Sequence, residues 1–531
     1  MPKRILEKLQ RSILGGAIII GSASIISRVL GLLRDRLLTT QFGAGDILDA
    51  YFTAFKIPDF FFNIVVLGIL SASFVPVFIE YKEKKGKKDA FIMANSVINL
   101  IAFVLIGFAV LCYIFAPQLV DLLAYGDSVE QKALIVRYTR IMLGSLFFFG
   151  LSNVIAGILH AQKKFLAYAV APIFYNIGII LGILLFVPLW GPIGLGYGVV
   201  LGAFLHFAIQ LPAAISAGFQ YRPTTQWSHP GVIQILKLMP PRAFALGLTQ
   251  LNILVIFSIA STLPSGDRAV WQFADNLQHF PINIFGVSLA LAAFPVFSEA
   301  FAEDNVQKFK DVFSENFRRI LFYIIPISIA TLLLRAQIVR LVYGAGEFDW
   351  QDTFLTAQTL GAFTLSMFAQ ALIPLLARSF FAKQDTKTPV IMSAIAMVIN
   401  IVLAVVLAPS SGIIGLAFAY SIAAIIQMML LLTALRLRHG NLDDEHIVNS
   451  AFKIIIAAVG MGLVIQGLKY AVEPIVDMTT FLGVFMQTSF AVLGGGLTYL
   501  IIASFFHFDE VNLVVRKIKS GFILIKKHWQ S

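Results

Sequence analysis

The 531-residue chain has few charged residues. Asp, Glu, Lys and Arg together make up 13% of it, whereas 58% of its residues are hydrophobic and its mean hydropathy is +0.84. Because a soluble globular protein carries about 25% charged residues, this composition excludes a set of soluble domains. The longest polar interruptions, residues 220–227 and 440–445, are only as long as loops. The composition therefore predicts one continuous membrane domain.

Cysteine and the common catalytic motifs are also scarce. The single cysteine, Cys112, lies in the apolar run LIAFVLIGFAVLCYIF, which excludes a disulfide framework. GxxxxGK[ST] and HExxH do not occur, and neither a cysteine cluster nor a recognisable Ser–His–Asp arrangement is present. The sequence therefore predicts a protein that is not an enzyme and has no cofactor or metal site. Without GxxxxGK[ST], ATP is not predicted as a local energy source, so any transport would be expected to use the membrane potential or an ion gradient.

The apolar residues fall into fourteen predicted membrane spans. Breaks at glycine, proline and charge clusters separate stretches of about 20 residues, the length needed to cross a bilayer. The spans start near residues 13, 48, 91, 134, 165, 192, 233, 267, 315, 354, 388, 412, 449 and 480. Basic residues gather in the even-to-odd connections, such as 82–88, and acidic residues such as Asp127 and Glu473 lie in the opposite loops. The positive-inside rule then predicts cytoplasmic N and C termini, and it explains the net charge of +11 without nucleic acid.

Four short sequences recur in the same order about 220 residues apart. The pairs are FVPVFIE (74–80) with FPVFSE (294–299), QLVDLLAYG (118–126) with QIVRLVYG (337–344), HAQKK (160–164) with FAKQD (381–385), and GPIGLGY (191–197) with SGIIGLAF (411–418). Because each copy holds six spans, an even number, the copies are predicted to be parallel, as in many secondary transporters. The predicted fold is an all-α polytopic membrane protein with about 14 transmembrane helices.

The repeat divides the predicted fold into four parts. Residues 1–225 form an N-terminal lobe, 226–445 form a C-terminal lobe, and 446–507 form two extra helices. Residues 508–531 form a basic tail, which is either an amphipathic helix on the inner membrane surface or an ordinary cytoplasmic helix. The prediction is thus two parallel six-helix lobes followed by two extra C-terminal helices.

Charged residues within the apolar spans are the candidate functional residues, because a charge in a bilayer is costly. Arg28 and Arg34 lie six residues apart on the first span, and Lys56 lies on the second. A guanidinium group suits bidentate binding of phosphate, so these cations predict an anionic substrate. Arg36 either joins these cations, or Arg34, Asp35 and Arg36 together mark the outer end of the first span, with Asp35 as a local partner.

In the second half, the segment WQFADNLQHFP (271–281) takes the equivalent place. Asp275 and His279 are four residues apart and share one helical face. They either line a cation site or make a hydrogen-bonded contact. Arg242 faces either a cavity or the cytoplasmic interface, where a long basic side chain reaches water easily.

Five sequences resemble those of the MurJ (MviN) lipid II flippases of the MOP exporter superfamily. They are SRVLGLLRD, FGAGDILDAYFTAFKIPD, FVPVFIEY, the ADNL segment before a Phe-Pro pair, and KQDTKTPV, and the resemblance is collinear from about residue 12 to 505. It implies fourteen helices, a central cationic cavity, and a groove near helices 13 and 14 for a polyprenyl tail. It also implies movement of a peptidoglycan precursor from the inner to the outer leaflet of the bacterial cytoplasmic membrane, by alternating access. The implied partners are lipid II or a similar polyprenyl-pyrophosphate lipid, membrane lipids and cell-wall synthesis proteins.

By this resemblance the family's first-helix arginines fall on Arg28 and Arg34, and its second-helix aspartate falls on Asp49. The chain departs from the family at Phe62 and Asn276, where an arginine is common, and at Leu67, where an acidic residue is common. Either Arg242, Lys56 or Arg36 replaces the missing charge, or the head group differs from that of lipid II. The predicted substrate-binding residues are Arg28, Arg34, Asp49, Lys56, Arg242, Asp275 and Asn276.

Three other functions fit the same sequence. A flippase for another lipid-linked oligosaccharide needs the same cations. A MATE-like multidrug or cation antiporter needs a cation-coupling carboxylate, for which Asp49 and Asp275 are the candidates. A scaffold in the cell-wall machinery would tolerate loss of every charge in the cavity.

Overall fold

The structure, a computed structural model, describes the backbone of residues 13–67 and 74–508. Side chains are described from residue 19 onward within these ranges, except at 67, 240–242 and 245. The predicted basic tail lies outside the described residues from position 509. The chain divides into two compact units, Met1–Ala269 with Ala345–Asp349, and Val270–Gly344 with Trp350–Ser531.

The first unit consists of helices and short connections throughout its described residues. Its α-helices are α1 (Ile13–Phe42), α2 (Asp46–Phe61), α3 (Val75–Lys84), α4 (Lys87–Ile114), α5 (Ala116–Leu123), α6 (Val129–Ala161), α7 (Phe165–Leu181), α8 (Val187–Trp190), α9 (Gly194–Ala208), α10 (Leu211–Ser216), α11 (Pro230–Leu238) and α12 (Pro240–Ala260). α6 packs against α2, α4 and α9, and α7 packs against α1 and α9. A core of buried aliphatic and aromatic side chains fills the space between α3, α4 and α6.

The second unit is equally helical in its described residues. Its α-helices are α13 (Asp267–Pro281), the first turn of which belongs to the first unit, α14 (Ser288–Ala302), α15 (Val306–Tyr343), α16 (Trp350–Thr364), α17 (Met367–Ala382), α18 (Lys387–His439), α19 (Asp444–Val472) and α20 (Phe481–Phe505). α15 packs against α14, α16 and α19, and α19 packs against α20. The two extra C-terminal helices are therefore joined to the second unit through α15.

Eight helical stretches of the described residues are long and apolar enough to cross a membrane, and nine if the bent pair α16–α17 is one span. Two of the eight, Phe165–Ser216 and Lys387–His439, contain 52 and 53 residues. Each is more than twice the length that crosses a bilayer, about 20 residues, and each covers two predicted spans. The all-α polytopic membrane fold is confirmed, and the count of fourteen helices stays a prediction.

Irregular backbone conformations recur about 220 residues apart, as the sequence repeat does. Each copy contains a π-helical turn after its second helix, a positive-φ glycine in its last helical pair, and a positive-φ residue of another type before its fifth span. These are Phe62–Leu67 and Ile282–Val287, Gly191 (φ 68°) and Gly412 (φ 56°), and Lys163 (φ 58°) and Gln384 (φ 60°). Positive φ is uncommon outside glycine, so its recurrence at Lys163 and Gln384 extends the repeat to local backbone geometry.

One helix begins earlier than the sequence predicts. α15 starts at Val306, whereas hydropathy places the start of the ninth span near residue 315. Asn305 caps this helix, because its side chain accepts a hydrogen bond of 2.9 Å from the amide of Lys308. The first turns of α15 are polar and extend beyond the apolar segment, so hydropathy alone misses them.

α7 and the π-helical turn Gly182–Phe186 that continues it approach α9 backbone to backbone at four glycines. A Cβ on Gly178 would lie 2.3 Å from the Cα of Gly202, and a Cβ on Gly182 would lie 2.4 Å from the Cα of Gly198. The glycines are four residues apart on each helix, which is the small-residue spacing that permits close helix packing in membranes. This contact fixes the position of α7, which also packs against α1.

Candidate functional site

Arg34 is held by two neighbours in the first unit. Its Nε and Nη2 atoms donate hydrogen bonds of 2.9 and 2.7 Å to Oδ1 of Asp35, which is buried. Its Nη1 donates a bond of 3.2 Å to Oδ1 of Asn176 on α7. A guanidinium has five N–H donors, so two remain after these three bonds to the described residues. The side chain is 22% exposed, which leaves it accessible to a ligand.

Asn176 is a site residue that the sequence reasoning missed. Its Nδ2 donates to the backbone oxygen of Ser27 at 3.1 Å and to the Ser27 hydroxyl at 3.2 Å. The same side chain therefore joins α7 to α1 at Ser27 and at Arg34. An asparagine within the apolar run FYNIGII was the available signal, because a polar amide in a membrane span needs partners.

Arg28 and Arg36 lie on the same helix as Arg34. Arg28 is partly buried and lies about 9 Å before Arg34 along the axis of α1. The backbone oxygen of Arg36 accepts hydrogen bonds from the hydroxyls of Thr39 and Thr40. Arg28 and Arg34 are thus brought onto one helix of the first unit, and their role in binding substrate stays a prediction.

The ammonium group of Lys56 lies over an aromatic ring. Its Nζ is 4.0 Å from the centroid of Phe257 on α12, a distance typical of a cation–π interaction. Phe62, where the resemblance predicts an arginine, packs against Phe149 with ring centroids 5.6 Å apart. The position of the missing arginine is therefore occupied by an apolar aromatic contact.

Asp49 is almost fully buried, at 1% exposure, and all of its partners lie in the first unit. Its two carboxylate oxygens each accept a hydrogen bond of 2.8 Å, Oδ2 from the amide of Gly266 and Oδ1 from the amide of Ala269. These amides belong to the N-terminal end of α13, where a negative charge is stabilising. Nε of Arg268 lies 3.6 Å from Oδ2. Asp49 is thus occupied as a helix cap.

Arg268 and Asp127 complete this cluster, and the sequence reasoning assigned neither of them to a site. Nη1 and Nη2 of Arg268 donate bonds of 2.7 and 2.8 Å to the two oxygens of Asp127, a bidentate pair. Both side chains are buried, at 4% and 8% exposure. The connection between α5 and α6 is therefore tied to the first turn of α13 within the first unit.

In the second unit, Asp275 and His279 form a contact on α13. Nδ1 of His279 is 3.1 Å from Oδ1 of Asp275. Asn276 accepts a hydrogen bond of 3.1 Å from Gln272, one turn earlier. These contacts join residues one turn apart on the same helix. Both alternatives, a cation site and a hydrogen-bonded contact of the lobe, therefore stay predictions.

A chain of buried polar side chains leads from Asp275 into the second unit. Nε2 of Gln278 donates to Asp275 at 2.9 Å, and Nε2 of Gln370 donates to Gln278 at 2.9 Å and to Ser366 at 2.8 Å. The Ser366 hydroxyl then donates to Ser421 at 3.0 Å. Ser366 lies at the 46° bend between α16 and α17. The chain joins α13, α17 and α18, and it fixes the orientation of Asp275.

Arg242 lies on α12, and its side chain is outside the described residues. Leu67 ends the π-helical turn Phe62–Leu67, and its side chain is also outside the described residues.

The fold and the site define a class of protein. The chain is a polytopic helical membrane protein with an oriented arginine in its first unit, and its fold resembles that of solved MOP superfamily transporters. In the solved structures, an inward-facing MATE family multidrug resistance transporter of the MOP superfamily matches with a TM-score of 0.66. It is 15% identical in sequence, and the match covers 81% of this chain and 99% of that one. At this identity the likeness concerns the fold alone.

The chain belongs to the lipid II flippase MurJ family, whose profile matches residues 38–486. A solved lipid II flippase MurJ in an inward closed conformation matches with a TM-score of 0.77 and 28% identity, over 93% of this chain and all of that one. A probable lipid II flippase MurJ of Vibrio cholerae is 32% identical over 441 residues, 81% of this chain and 84% of its own. The lipid II flippase MurJ of Burkholderia cenocepacia is 28% identical over 455 residues, 84% of this chain and 87% of its own.

Proposed function

We propose that this chain moves lipid II from the inner to the outer leaflet of the bacterial cytoplasmic membrane by alternating access. It belongs to a family of flippases, and its first unit holds an arginine with N–H groups to spare. The observation that carries the proposal is the orientation of Arg34 by Asp35 and Asn176. The termini lie in the cytoplasm, and the chain transports its substrate without changing its covalent structure.

In this mechanism Arg34 binds the pyrophosphate of the substrate. The planar guanidinium offers parallel N–H donors that match phosphate oxygens. Asp35 and Asn176 hold the side chain, so little conformational entropy is lost when the head group binds. Arg28 adds positive charge on the same helix, while the polyprenyl tail stays in lipid. Asp49 acts differently, because its oxygens are occupied, and it holds the outer end of the first unit.

The proposal is tested by transport of lipid II in proteoliposomes. Arg34→Ala is expected to lower the initial rate about tenfold or more, because a charge-assisted phosphate contact contributes about 1.5–3 kcal/mol. Arg34→Lys keeps the positive charge but loses the parallel N–H donors of the guanidinium. Its initial transport rate should lie between those of the native chain and Arg34→Ala. The matched control is Arg319→Ala, which removes an arginine paired with Glu315 within α15. Full transport by both Arg28→Ala and Arg34→Ala would contradict the proposed roles.

A second candidate is a flippase for another undecaprenyl-pyrophosphate oligosaccharide. Phe62 and Asn276 favour it, because aromatic and amide contacts take the place of two arginines of the family. The test is complementation of a strain depleted of its own lipid II flippase. Growth supports lipid II as the substrate. Failure to grow, with the protein present in the membrane at the normal level, supports the other head group.

The energy source and the partners follow from the same proposal. Transport of a pyrophosphate-linked anion toward the outer leaflet couples to the membrane potential or to an ion gradient. In proteoliposomes, a membrane potential imposed with potassium and valinomycin should change the rate of lipid II transport. A transport rate that is the same with and without a potential or an ion gradient would contradict this coupling. Cell-wall synthesis proteins, which consume lipid II at the outer leaflet, are the proposed protein partners.

A further inference from the structure

A pocket lies on the first unit, away from the arginines of α1. It opens between the N-terminal end of α4 and the segment 218–226, with a volume of about 540 Å³. Pockets of about 300–1,000 Å³ are typical of small-molecule sites. Its polar lining consists of Lys87, Lys88, Asn95, Gln220, Arg222 and Thr224, with Gln226 at the end of the segment.

The lining is basic and contains no carboxylate. Lys87, Lys88 and Arg222 contribute three positive charges, and no ion pair joins any of them to a carboxylate among the described residues. Asp89 is the acidic residue nearest in sequence to these lysines, and its carboxylate lies 3.5 Å from the imidazole of His229, a residue outside the lining. Like charges gathered around a cavity favour an anionic ligand.

Two asparagines of α4 fix the wall of this pocket. Nδ2 of Asn95 donates to the backbone oxygen of Gln220 at 3.0 Å, and its Oδ1 accepts from the amide of Arg222 at 3.0 Å. Nδ2 of Asn99 donates to the oxygen of Thr224 at 2.7 Å. The backbone that carries Arg222 is therefore set before any ligand binds, which lowers the entropy cost of binding.

A glycine leaves room for one of the lysines. Gly218 has a φ of 92°, in the region that favours glycine, and a Cβ there would lie 2.6 Å from Nζ of Lys87. The ammonium group of Lys87 thus lies against Gly218 in the wall of the pocket, in space that a side chain at position 218 would share.

The surroundings place the pocket at a membrane surface. Trp227 packs on the outward-facing Phe103 of α4, with ring centroids 5.5 Å apart, and the Tyr221 ring is also exposed. Tryptophan and tyrosine are enriched at membrane–water interfaces. The connections that carry Lys87 and Arg222 are predicted to be cytoplasmic, and the inner leaflet facing them is rich in anionic lipids.

We propose that this pocket binds a phosphate ester, supplied either by the head group of an anionic phospholipid of the inner leaflet or by a soluble metabolite. The three cations bind the phosphate, and the amides of the lining bind the polar group esterified to it. The site is separate from the transport arginines, so its occupancy is independent of the lipid II proposal.

The first test measures lipid retention by native mass spectrometry of the full chain. The protein is prepared in detergent with added phosphatidylglycerol or phosphatidylcholine, and the amount of each lipid that stays bound after the detergent is removed in the mass spectrometer is compared. Lys87→Gln with Lys88→Gln is expected to weaken retention of phosphatidylglycerol about thirtyfold, since each of the two basic residues near the surface contributes about 1 kcal/mol. Arg222→Gln should act in the same direction. The control pair Lys82→Gln with Lys85→Gln removes the same charge from the same connection and should leave retention unchanged.

The second test identifies the source of the phosphate. Glycerol 3-phosphate is added to delipidated protein and the midpoint of thermal unfolding is measured. If the variant at Lys87 and Lys88 retains less phosphatidylglycerol but the same amount of phosphatidylcholine, the ligand is a phospholipid. If glycerol 3-phosphate raises the unfolding midpoint of the native chain but not that of the variant, the ligand is a soluble phosphate ester. Equal losses in the two lysine pairs would mean general surface charge and would overturn the proposal. Absence of any difference in both tests would also overturn it.

Discussion

Arg34 and Asp49 both lie in apolar segments of the first unit, yet their charges are held in different ways. The three bonds of Arg34 to described residues leave two of its N–H groups for a ligand. Asp49 has both oxygens bound to backbone amides and lies beside Arg268. The arrangement around Arg34 suits the binding of an anionic ligand, and the arrangement around Asp49 suits the capping of a helix end.

Asp49→Asn should destabilise the first unit. An amide side chain has one acceptor oxygen, so either Gly266 or Ala269 loses the partner of its buried N–H, and Arg268 loses a negative neighbour. An unsatisfied buried group costs about 1–3 kcal/mol, and we expect a lower midpoint of thermal unfolding in detergent. Asp46→Asn is the control, because Asp46 lies one turn earlier, is exposed, and accepts from the Ser265 hydroxyl. Equal midpoints for the two variants would contradict the capping role.

Charged residues within apolar segments can be found from the sequence more readily than the partners of those residues. Arg28, Arg34 and Asp49 stand out because charges are rare in apolar spans. The bidentate pair of Asp127 with Arg268 could not be predicted, since the two residues are separated by more than a hundred positions and each looks like an ordinary loop charge. Asn176 was hidden for another reason, because an amide carries no charge that marks it.

At the scale of the helix, the repeat could be predicted from short sequence matches, and several local features could not. The positive φ at Gly191 and Gly412 follows from glycine's freedom, which sequence reveals. The π-helical turns Phe62–Leu67 and Ile282–Val287 have no residue signature of their own. The bend between α16 and α17, which α6 lacks at the equivalent place, lies at Ser366, whose hydroxyl donates to Ser421 on α18, a partner that local sequence does not reveal.

Gly178→Ala should push α7 away from α9. The added Cβ would lie 2.3 Å from the Cα of Gly202, and that backbone atom cannot rotate aside as a side chain would. Overpacking of this kind costs about 1–3 kcal/mol, and the midpoint of thermal unfolding should fall. Transport should fall as well, because α7 carries Asn176. Gly107→Ala is the control, since a Cβ there meets nothing within 4 Å and alanine favours a helix. A midpoint for Gly178→Ala as high as that for Gly107→Ala would contradict the close contact.

The start of α18 should be sensitive to acid. Partial burial raises the pKa of Asp385, but the hydrogen bonds from Thr388 and Arg438 have a larger, opposite effect. The pKa of Asp385 is therefore lowered to about 2. This folded pKa is below the ordinary value of about 3.9. The stabilisation is therefore present above pH 4 and is lost as the pH falls toward 2. The difference in unfolding midpoint between the native chain and Asp385→Asn should shrink between pH 6 and pH 2.5. A difference that stays constant over this range would contradict the assignment.

For the whole molecule, the distribution of lysine and arginine predicts which ends of the helices face the cytoplasm. Both proposals depend on this orientation. Lipid II begins in the inner leaflet, and the pocket beside Lys87 and Arg222 requires an inner-leaflet or cytoplasmic phosphate. Composition and hydropathy predicted the helical membrane fold, because a helix that crosses a membrane needs a long run of apolar residues. The packing of helices within each unit depends on side-chain contacts that such runs do not encode.

Cysteine labelling in spheroplasts tests this orientation, and the chain suits the method because its one native cysteine, Cys112, is buried. In a Cys112→Ala background, Glu130→Cys and Glu473→Cys should react with a membrane-impermeant maleimide. Lys85→Cys and Asn441→Cys should react only after lysis. All four positions are exposed, so a lack of reaction reports the membrane barrier and not burial. The background variant should stay unlabelled. The reverse pattern would place the basic pocket on the outer face and leave Arg34 without an inner-leaflet substrate, which would contradict both proposals together.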